Sequence, residues 1–283
     1  MLRITAILLC AGSLLPAQYH PANAQWNRPV APFRIVGNLY YVGSSGVSAY
    51  LFTTPEGDVL LDTGFRETAP LIEASLKKLG FRMEDIRLLL ATHAHYDHAG
   101  GLAAIKARTK ARFLSSPADA PLFAAGGRGD FQLGDRYSFP PVRPDGLLRD
   151  GEPVNLGGLA LTPHFTPGHT KGCTSWTAAI ASYRVVIPCS LSAPDYRLVG
   201  NAKYPGIVHD FETSIATLRA LPCDIFLATH AWDFDLPRKI EALKAGAASP
   251  FVDPAGYVRY LDRAEAALRR ALAAQSGGRK AAH

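Results

Sequence analysis

Four side chains that can bind a metal ion fall within six residues, in the segment Thr92-His93-Ala94-His95-Tyr96-Asp97-His98. The segment directly follows a continuous apolar run, which is typical of a buried strand. In an extended chain alternate side chains point the same way, so His93, His95 and Asp97 can converge on one side. A turn at His98 can then bring its ring round to a second metal ion. Imidazole suits zinc and a neighbouring carboxylate keeps part of the site anionic, so the segment predicts a zinc centre.

Two more histidines extend this group. His169 lies in the turn Thr166-Pro167-Gly168-His169-Thr170 after a predicted strand, and His230 follows a buried strand predicted at residues 224–228. Pockets at the ends of strands are a usual place for binding sites in α/β folds. With the first segment they give five histidines and one aspartate, enough to hold two zinc ions and leave positions open for water and substrate.

The elements around these residues alternate between strands and helices. Strands are predicted at residues 33–42, 49–54, 58–62, 86–91, 159–165, 174–181, 185–188 and 224–228, and helices at 68–79, 100–108, 211–220 and 256–274. Asp210 is the predicted N-cap of the third helix. Strands and helices in both halves of the chain predict an α/β fold in which sheets are flanked by helices. Residues 124–150 hold five glycines and three prolines and are predicted as a loop near the active site.

Residues 1–24 have the features of a secretory signal peptide. A basic start precedes an apolar stretch at residues 4–15, which is too short to span a membrane, and Ala22-Asn23-Ala24 is typical of a cleavage site. We therefore predict cleavage before Gln25, a periplasmic location, and a single domain over residues 25–283. An N-terminal membrane anchor is the alternative interpretation of the same stretch.

The formal net charge of the chain is +6, and its basic residues are scattered rather than clustered with aromatic residues. A nucleic-acid surface would show such a cluster, so a nucleic acid is not predicted as a partner. A membrane partner is not expected either, because no later stretch is long and apolar enough to cross a bilayer. The chain is expected to act as a monomer.

Four cysteines occur, and Cys10 lies in the predicted signal peptide, which leaves Cys173, Cys189 and Cys223. Three is an odd number, so at least one thiol must be free. A domain of this length does not need disulfide bridges to build a core, and a disulfide framework is not expected.

The pattern His-x-His-x-Asp-His, then Pro-Gly-His-Thr, then a last histidine after a buried strand resembles the signature of the metallo-β-lactamase superfamily. The resemblance extends over residues 31–272. It implies an αββα sandwich of two mixed β-sheets flanked by helices, with the metal ions at one edge of the paired sheets. It also implies the following ligands: His93, His95 and His169 for the first zinc ion, and Asp97, His98 and His230 for the second.

Within that superfamily the segment Ser190-Leu191-Ser192-Ala193-Pro194-Asp195-Tyr196-Arg197-Leu198 is similar to the subclass B3 β-lactamases. Glyoxalase- and phosphodiesterase-type members bridge both metals with an aspartate at the end of the preceding strand, and here no carboxylate occurs before Asp195. The B3 resemblance implies that Ser190 stands near the second zinc in place of a cysteine ligand and that Ser192 helps to hold the substrate carboxylate. Cys189 lies beside Ser190, which leaves open that this cysteine is itself a ligand of the second zinc.

The resemblance implies hydrolysis of the β-lactam ring of penicillins, cephalosporins and carbapenems, and hence inactivation of these antibiotics. A hydroxide held by the two zinc ions would be the nucleophile. Asp97 would be the catalytic residue that orients it, and the partner would be the small-molecule β-lactam substrate. The alternative is a secreted hydrolase of the same fold that acts on a lactone, thioester or phosphoester.

Overall fold

The computed structural model describes residues 21–280, with side chains for residues 23–277. The predicted signal peptide therefore lies outside the described residues, except for its last residues in the short helical turn Pro21–Gln25. Among the described residues, no helix combines the length and the apolar character needed to cross a membrane.

Within residues 21–280 the strands form two mixed sheets with helices on their outer faces. The first sheet contains, in spatial order, β1 (Phe33–Val36), β2 (Leu39–Tyr41), β3 (Tyr50–Phe52), β4 (Asp58–Leu61), β5 (Ile86–Leu90), β6 (Arg112–Ser115) and β7 (Gly146–Leu147). The second sheet contains β8 (Val154–Leu156), β9 (Leu159–Phe165), β10 (Thr174–Ile180), β11 (Tyr183–Ile187) and β12 (Ile225–Phe226), and each strand lies beside the next one in this series. The helices are α1 (Ala69–Leu79), α2 (Tyr96–Ala99), α3 (Leu102–Arg108), α4 (Ala120–Ala124), α5 (Ile207–Ala220), α6 (Leu236–Lys244) and α7 (Pro254–Lys280). This is the αββα sandwich expected from the sequence.

The period-two alternation of strand side chains divides the first sheet between two apolar layers. Tyr41 and Leu61 lie in the core between the sheets, together with the fully buried Trp176 of β10. Their chain neighbours Tyr40 and Leu60 belong to the other apolar cluster, which includes the buried side chains of α1 and α3. Both faces of the first sheet are therefore covered, which explains why its central strands are apolar apart from Asp58 and Arg87 near their starts.

The direction of the strands brings the predicted site residues to one edge of the sandwich. In the second sheet β9 and β11 are both antiparallel to β10, and β12 is parallel to β11. The strands β9, β11 and β12 therefore run the same way and end at the same edge. His169 follows the first of them, Ser190 the second and His230 the third, while His93 follows the end of β5 in the other sheet.

Most predicted elements are present, with different boundaries. The strand predicted at residues 33–42 is a hairpin of β1 and β2 that bends at Gly37, where φ is +50°. The helix predicted at residues 211–220 begins earlier, at Ile207, so the prediction of Asp210 as its N-cap is wrong. Asp210 lies in the first turn of α5, and its carboxylate accepts a hydrogen bond of 2.6 Å from the hydroxyl of Tyr204.

No disulfide framework is expected from the sequence, and the structure contains one bridge that the sequence did not predict. Cys173 and Cys189 form a disulfide that joins the residue before β10 to the region after β11, whereas Cys223 is free and buried. The antiparallel register of β10 and β11 explains the bridge. Trp176 pairs with Ile187, so the residues just before β10 and just after β11 are brought close together. A bonded Cys189 has no thiolate, so the structure does not offer it as a soft metal ligand.

Candidate metal centre and substrate cavity

Three histidines from two segments converge at the edge of the sandwich: His93 and His95 follow β5, and His169 follows β9. Nδ1 of His95 and Nε2 of His169 are 3.1 Å apart, and ring nitrogens of His93, His95 and His169 all lie within 4.8 Å of one another. Three nitrogen atoms that close can form one face of a coordination shell. These are the three residues predicted for the first zinc ion.

The residues predicted for the second zinc ion lie nearby, but the close group that contains Asp97 and His98 has His93 as its third member and not His230. His93, Asp97 and His98 offer ligand atoms within 4.8 Å of one another. Oδ2 of Asp97 lies 3.4 Å from Nε2 of His98 and 3.7 Å from Nε2 of His230. The carboxylate of Asp97 is therefore the link between the helix α2 that carries His98 and the segment after β12 that carries His230.

Hydrogen bonds determine which ring nitrogen carries the proton in His169 and in His93. Nδ1 of His169 lies 2.7 Å from the backbone oxygen of Ser192, so it must carry the proton and donate, which leaves Nε2 with its lone pair. Thr92 donates its hydroxyl to Asp62 at 2.8 Å and accepts from Nδ1 of His93 at 3.1 Å. In both rings the unprotonated Nε2 is left to face the cluster, which is the arrangement that a metal ligand needs.

Buried nitrogen atoms without partners test whether a metal fits here. Nε2 of His93, Nε2 of His95, both ring nitrogens of His98 and Nδ1 of His230 are buried with no hydrogen bond among the described residues. Unpaired polar atoms are costly inside a protein, and a bound cation explains Nε2 of His93. Nε2 of His95 faces Asp130 at 3.6 Å, and the two nitrogens of His98 lie 3.4 Å from Asp62 and Asp97. The site therefore suits a divalent metal ion.

The protonation of the histidines agrees with that interpretation. Burial, followed by the nearby His95 ring, lowers the pKa of His169 to about 3. Burial, followed by the nearby His98, lowers the pKa of His230 to about 4. Burial also lowers the pKa of His93 well below its ordinary value. Neutral imidazole is the form that binds metals, so these rings need no deprotonation at neutral pH.

Asp97 and His98 form an oppositely charged pair in the same cluster. Burial alone would lower the pKa of His98, but the charges of Asp97 and Asp62 outweigh it and raise this pKa to about 10. Burial would likewise raise the pKa of Asp97, and the charge of His98 instead holds it well below its ordinary range. A ring held protonated in this way must release its proton before it can bind a metal ion.

Asp62 holds the segment between β5 and α2 in place. It is fully buried, has a φ of +60°, and accepts hydrogen bonds from the backbone N–H and the hydroxyl of Thr92 at 2.7 and 2.8 Å. Its Oδ2 also lies 3.4 Å from Nδ1 of His98. One strained residue at the end of β4 thus orients both the histidine-rich segment and one of its rings.

Asp119 joins the two histidine-bearing turns. This buried carboxylate accepts hydrogen bonds from the N–H of Ala94 at 3.0 Å, the hydroxyl of Thr170 at 2.8 Å and the N–H of Gly172 at 2.8 Å. Ala94 lies between two candidate ligands and Thr170 directly follows His169. One side chain therefore links the two turns, in addition to the backbone hydrogen bond from Thr174 to Thr92.

The backbone of the His169 turn needs a glycine. Gly168 has a φ of +136°, and a Cβ atom there would lie 2.7 Å from the ring of Phe211 in α5. The hydroxyl of Ser214, in the same helix, donates to the backbone oxygen of Pro167 at 2.7 Å. Helix α5 thus packs against this turn tightly enough to fix the direction of the His169 ring.

A cavity of about 350 Å³ opens directly onto the cluster. His95, Asp97, His169 and His230 form its polar floor, and aromatic rings form much of its wall. Trp232 is 48% exposed and stacks on the His230 ring at 4.3 Å between centroids. The cavity has the size and mixed lining of a small-molecule site.

The predicted substrate residues lie beside this cavity. Ser192 is exposed and lines it, and its hydroxyl lies 2.9 Å from the hydroxyl of the buried Ser190. Tyr196, four residues further along the same segment, stacks on the His169 ring and donates its hydroxyl to the backbone oxygen of His169 at 3.0 Å. The segment after β11 therefore supplies both hydroxyl groups and the support of a candidate ligand.

The predicted loop at residues 124–150 does approach the site. Leu133 and Tyr137 line the cavity, and the Tyr137 ring stacks on that of Tyr96 at 4.7 Å. Asp130, in the same loop, lies 3.6 Å from Nε2 of His95 and is 3% exposed. The sequence contained no signal for Asp62, Asp119 or Asp130, because isolated aspartates in turns are common and their contacts come from distant segments.

The chain belongs to the metallo-β-lactamase superfamily, whose family model matches residues 42–230. Its structure resembles solved β-lactamases of that superfamily over nearly its full length. A metallo-β-lactamase with a HARLDQ motif from Cronobacter sakazakii is 42% identical with a TM-score of 0.88, and the match covers 90% of this chain and 99% of that one. FEZ-1 from Legionella gormanii is 42% identical with a TM-score of 0.86, covering 88% and 98%. BJP-1, a subclass B3 enzyme of Bradyrhizobium japonicum, is 35% identical with a TM-score of 0.84, covering 91% and 99%.

The motif in the name of the Cronobacter protein differs from the one in this chain. HARLDQ has arginine and glutamine at the places where the segment from His93 to His98 has His95 and His98. The fold is therefore compatible with more than one set of side chains at this position, and the metal chemistry must be argued from the residues present.

Curated relatives match a smaller part of the chain. Hydroxyacylglutathione hydrolase from Rhodopseudomonas palustris strain HaA2 is 33% identical over 130 residues, which are 46% of this chain and 42% of that protein. Acyl-coenzyme A thioesterase MBLAC2 from Gallus gallus is 33% identical over 99 residues, 30% of this chain and 35% of that protein. The matched region spans less than half the length of these curated relatives.

Proposed function

We propose that the chain hydrolyses the β-lactam ring of penicillins, cephalosporins and carbapenems and uses two zinc ions to do so. His93, His95 and His169 would hold the first ion, and Asp97, His98 and His230 the second. When bound, zinc would make water nucleophilic near neutral pH and polarise the lactam carbonyl. Water adds across the amide bond, so the carbonyl carbon becomes a carboxylate and the ring nitrogen becomes an amine.

The side chains of the cavity have separate roles in this proposal. The ionised carboxylate of Asp97 accepts a hydrogen bond from the attacking water and orients it. The exposed hydroxyl of Ser192 donates to the carboxylate that all three antibiotic classes carry, and Ser190 holds that hydroxyl in place. The ring of Trp232 shields the apolar side of the substrate from water.

The observation that carries the proposal is the chemistry of the segment after β11. This segment places a disulfide-bonded Cys189 and the hydroxyls of Ser190 and Ser192 beside the cluster. Asp195 is its first carboxylate, and the residues that line the cavity do not include it. Hydroxyl groups suit the recognition of an anionic substrate, whereas glyoxalase- and phosphodiesterase-type members use an aspartate here as a metal bridge.

A hydrolysis panel tests the proposal. We expect the zinc-loaded protein to hydrolyse a penicillin, a cephalosporin and a carbapenem. The loss of lactam absorbance measures each reaction. Dialysis against a chelator should abolish turnover, zinc should restore it, and metal analysis should approach two zinc ions per chain. The matched control is His95→Ala/His169→Ala, which removes two candidate ligands of one ion, and its melting curve verifies that it folds. A stoichiometry that stays at one in excess zinc contradicts the two-ion site.

Thioester hydrolysis is the second candidate, favoured by the partial matches to a glutathione thioester hydrolase and an acyl-coenzyme A thioesterase. An S-acylglutathione, a lactone and a phosphodiester therefore belong in the same panel. Turnover of the thioester by protein that leaves every lactam intact would replace the first proposal with the second.

The proposed compartment is the periplasm. The leader-like residues 1–24 support it, as does the disulfide between Cys173 and Cys189, because such bridges persist in oxidising compartments and are rare in the cytosol. Fractionation of cells that express the full chain, with sequencing of the N-terminus of the exported protein, tests both the location and the cleavage before Gln25.

A further inference from the structure

A second cavity, separate from the candidate substrate cavity, lies beside the loop that follows α4. Its volume is about 540 Å³, and it shares no lining residue with the first cavity. Leu122, Ala125 and Phe131 give it an apolar wall. The ring of Phe131 packs edge-on against that of Tyr204 at 4.9 Å, so this wall is held rigidly. The volume is within the range of small-molecule sites.

Three basic side chains line the same cavity: Arg128, Lys171 and Lys203. All three are exposed, and no ion pair among the described residues includes any of them. Nζ of Lys171 lies 5.4 Å from the centre of the Tyr204 ring, a cation–π contact that keeps the ammonium group near the cavity. We call this space the cationic cavity.

The two carboxylates in the wall, Asp119 and Asp130, are turned away from the space that a ligand would fill. Asp119 is 1% exposed and already accepts three hydrogen bonds, from Ala94, Thr170 and Gly172. Asp130 is 3% exposed; its Oδ1 accepts from two backbone N–H groups of its own loop and its Oδ2 faces a histidine ring. Both carboxylates are buried and held by internal contacts, so the charged groups that can reach a ligand directly are the three bases, although Asp130 keeps its negative charge in the wall.

We propose that the cationic cavity binds an organic dianion, a molecule with two carboxylates on an apolar body about the size of one ring. The bases would form charge-assisted hydrogen bonds with the carboxylates, and the apolar wall would cover the body. A bare inorganic anion would leave Leu122 and Phe131 uncovered, and a neutral ligand would leave three cations unpaired. The inference does not depend on the reaction proposed for the metal centre.

Isothermal titration of the purified chain with isophthalate tests this inference, with the neutral isophthalamide and inorganic phosphate as comparison ligands. We expect isophthalate to bind at least about tenfold more tightly than either, which corresponds to about 1.4 kcal/mol. Increasing salt should weaken the binding, because the contacts are between charges near the surface.

The decisive variant is Arg128→Ala/Lys171→Ala/Lys203→Ala, which should lose about tenfold or more in affinity for isophthalate. Its control is Lys77→Ala/Lys78→Ala/Lys110→Ala, which removes the same charge from exposed positions that line neither cavity. The control should bind as the unmodified chain does. Melting curves verify that both variants fold. If the triple variant does not fold, the single variant Lys203→Ala replaces it, and its loss of affinity for isophthalate should be smaller.

Four results overturn the inference. Isophthalate binding that is equal in the triple variant and the unmodified chain would place the ligand elsewhere, including at the metal centre. An equal loss in the control variant would show that only net charge matters. Phosphate binding as tight as isophthalate binding would show that the apolar wall contributes nothing, and a Kd above about 10 mM for isophthalate would show that the cavity is not a binding site.

Discussion

The carboxylate of Asp130 lies 3.6 Å from Nε2 of His95, while Nδ1 of the same ring faces His169 at 3.1 Å. The separation is an ion-pair distance and is too long for a direct hydrogen bond. Burial would raise the pKa of Asp130, but the neighbouring His95 ring lowers it, so the carboxylate is negative at neutral pH. A negative charge beside Nε2 makes Nδ1 of the same imidazole more basic, and therefore a stronger ligand for a metal ion.

Asp130→Asn is therefore expected to weaken zinc binding by about tenfold to a hundredfold, the usual cost of losing an outer partner of a metal ligand. The asparagine oxygen can still accept from the backbone N–H groups of Gln132 and Leu133, so the loop itself should keep its shape. Competition with a chromophoric chelator measures the affinity. Asp135→Asn in the same loop is the control, since Asp135 accepts only from Gly129 and should leave zinc binding unchanged.

Ser192→Ala should lower kcat/KM for β-lactams by about three- to a hundredfold, because one hydrogen bond to a charged group contributes roughly 1.5–3 kcal/mol and a neutral one 0.5–1.5. If the bond is equally strong in the ground and transition states, the loss falls on KM. His95→Ala removes a candidate ligand, and its loss should fall on kcat instead. Steady-state kinetics separate the two; unchanged KM and kcat in Ser192→Ala would refute the assigned substrate pose.

Breaking the disulfide should cost stability without removing zinc. The bridge closes a loop with a sequence separation of 16, for which loop-closure entropy gives about 3 kcal/mol. Cys173→Ser/Cys189→Ser should therefore lower Tm by roughly 6–12 °C for a domain of this size. Added reductant should do the same to the unmodified chain and nothing further to the variant. Zinc content measured on the folded double variant completes the test, because a large loss would show that Cys189 contributes to metal binding.

Asp58 should make stability depend on pH between about pH 4 and pH 7. Burial, and then the charge of Asp85, raise the pKa of Asp58 to about 6, above its value in an unfolded chain. The folded protein thus prefers the protonated acid, and the free energy of unfolding falls as pH rises through this window. Asp58→Asn imitates the neutral acid and lacks this pH dependence. Its free energy of unfolding should therefore rise relative to that of the unmodified chain as pH increases.

Urea unfolding of both proteins across this pH window measures the effect, and the comparison at each pH cancels changes at other groups. Asp85→Asn is the companion variant, since it removes one cause of the raised pKa and should move the transition to lower pH. A difference between Asp58→Asn and the unmodified chain that is constant with pH would contradict the shifted pKa.

The sequence predicted the layers of the fold because apolar runs and turns are local signals. The continuous apolar run that became β5 and the run that became β9 were located within a residue or two. Short edge strands such as β7 and β8 escaped prediction, because two or three residues carry no measurable period and their pairing is set by the neighbouring strand.

The site was predictable where its residues are close in sequence and of distinctive type. The histidine-rich segment, His169 and His230 met at one edge, as expected. The aspartates that hold them were not predictable, because Asp119 acts through contacts to residues 25 and more positions away. The Cys173–Cys189 bridge is an intermediate case: the two strands between the cysteines were predicted, and pairing them as a hairpin would have placed the cysteines side by side.

The stacking of Trp232 on His230 makes the occupancy of the cluster optically readable. The indole lies 4.3 Å from a candidate ligand ring, at an angle of 10°, so any cation that binds that ring changes the electric field across the fluorophore. Trp26 lies 5.0 Å from Trp232 and shares the same surroundings, whereas Trp176 is fully buried in the core between the sheets. The chain thus contains its own reporter and its own reference, and the filling of the site can be followed in real time without a label.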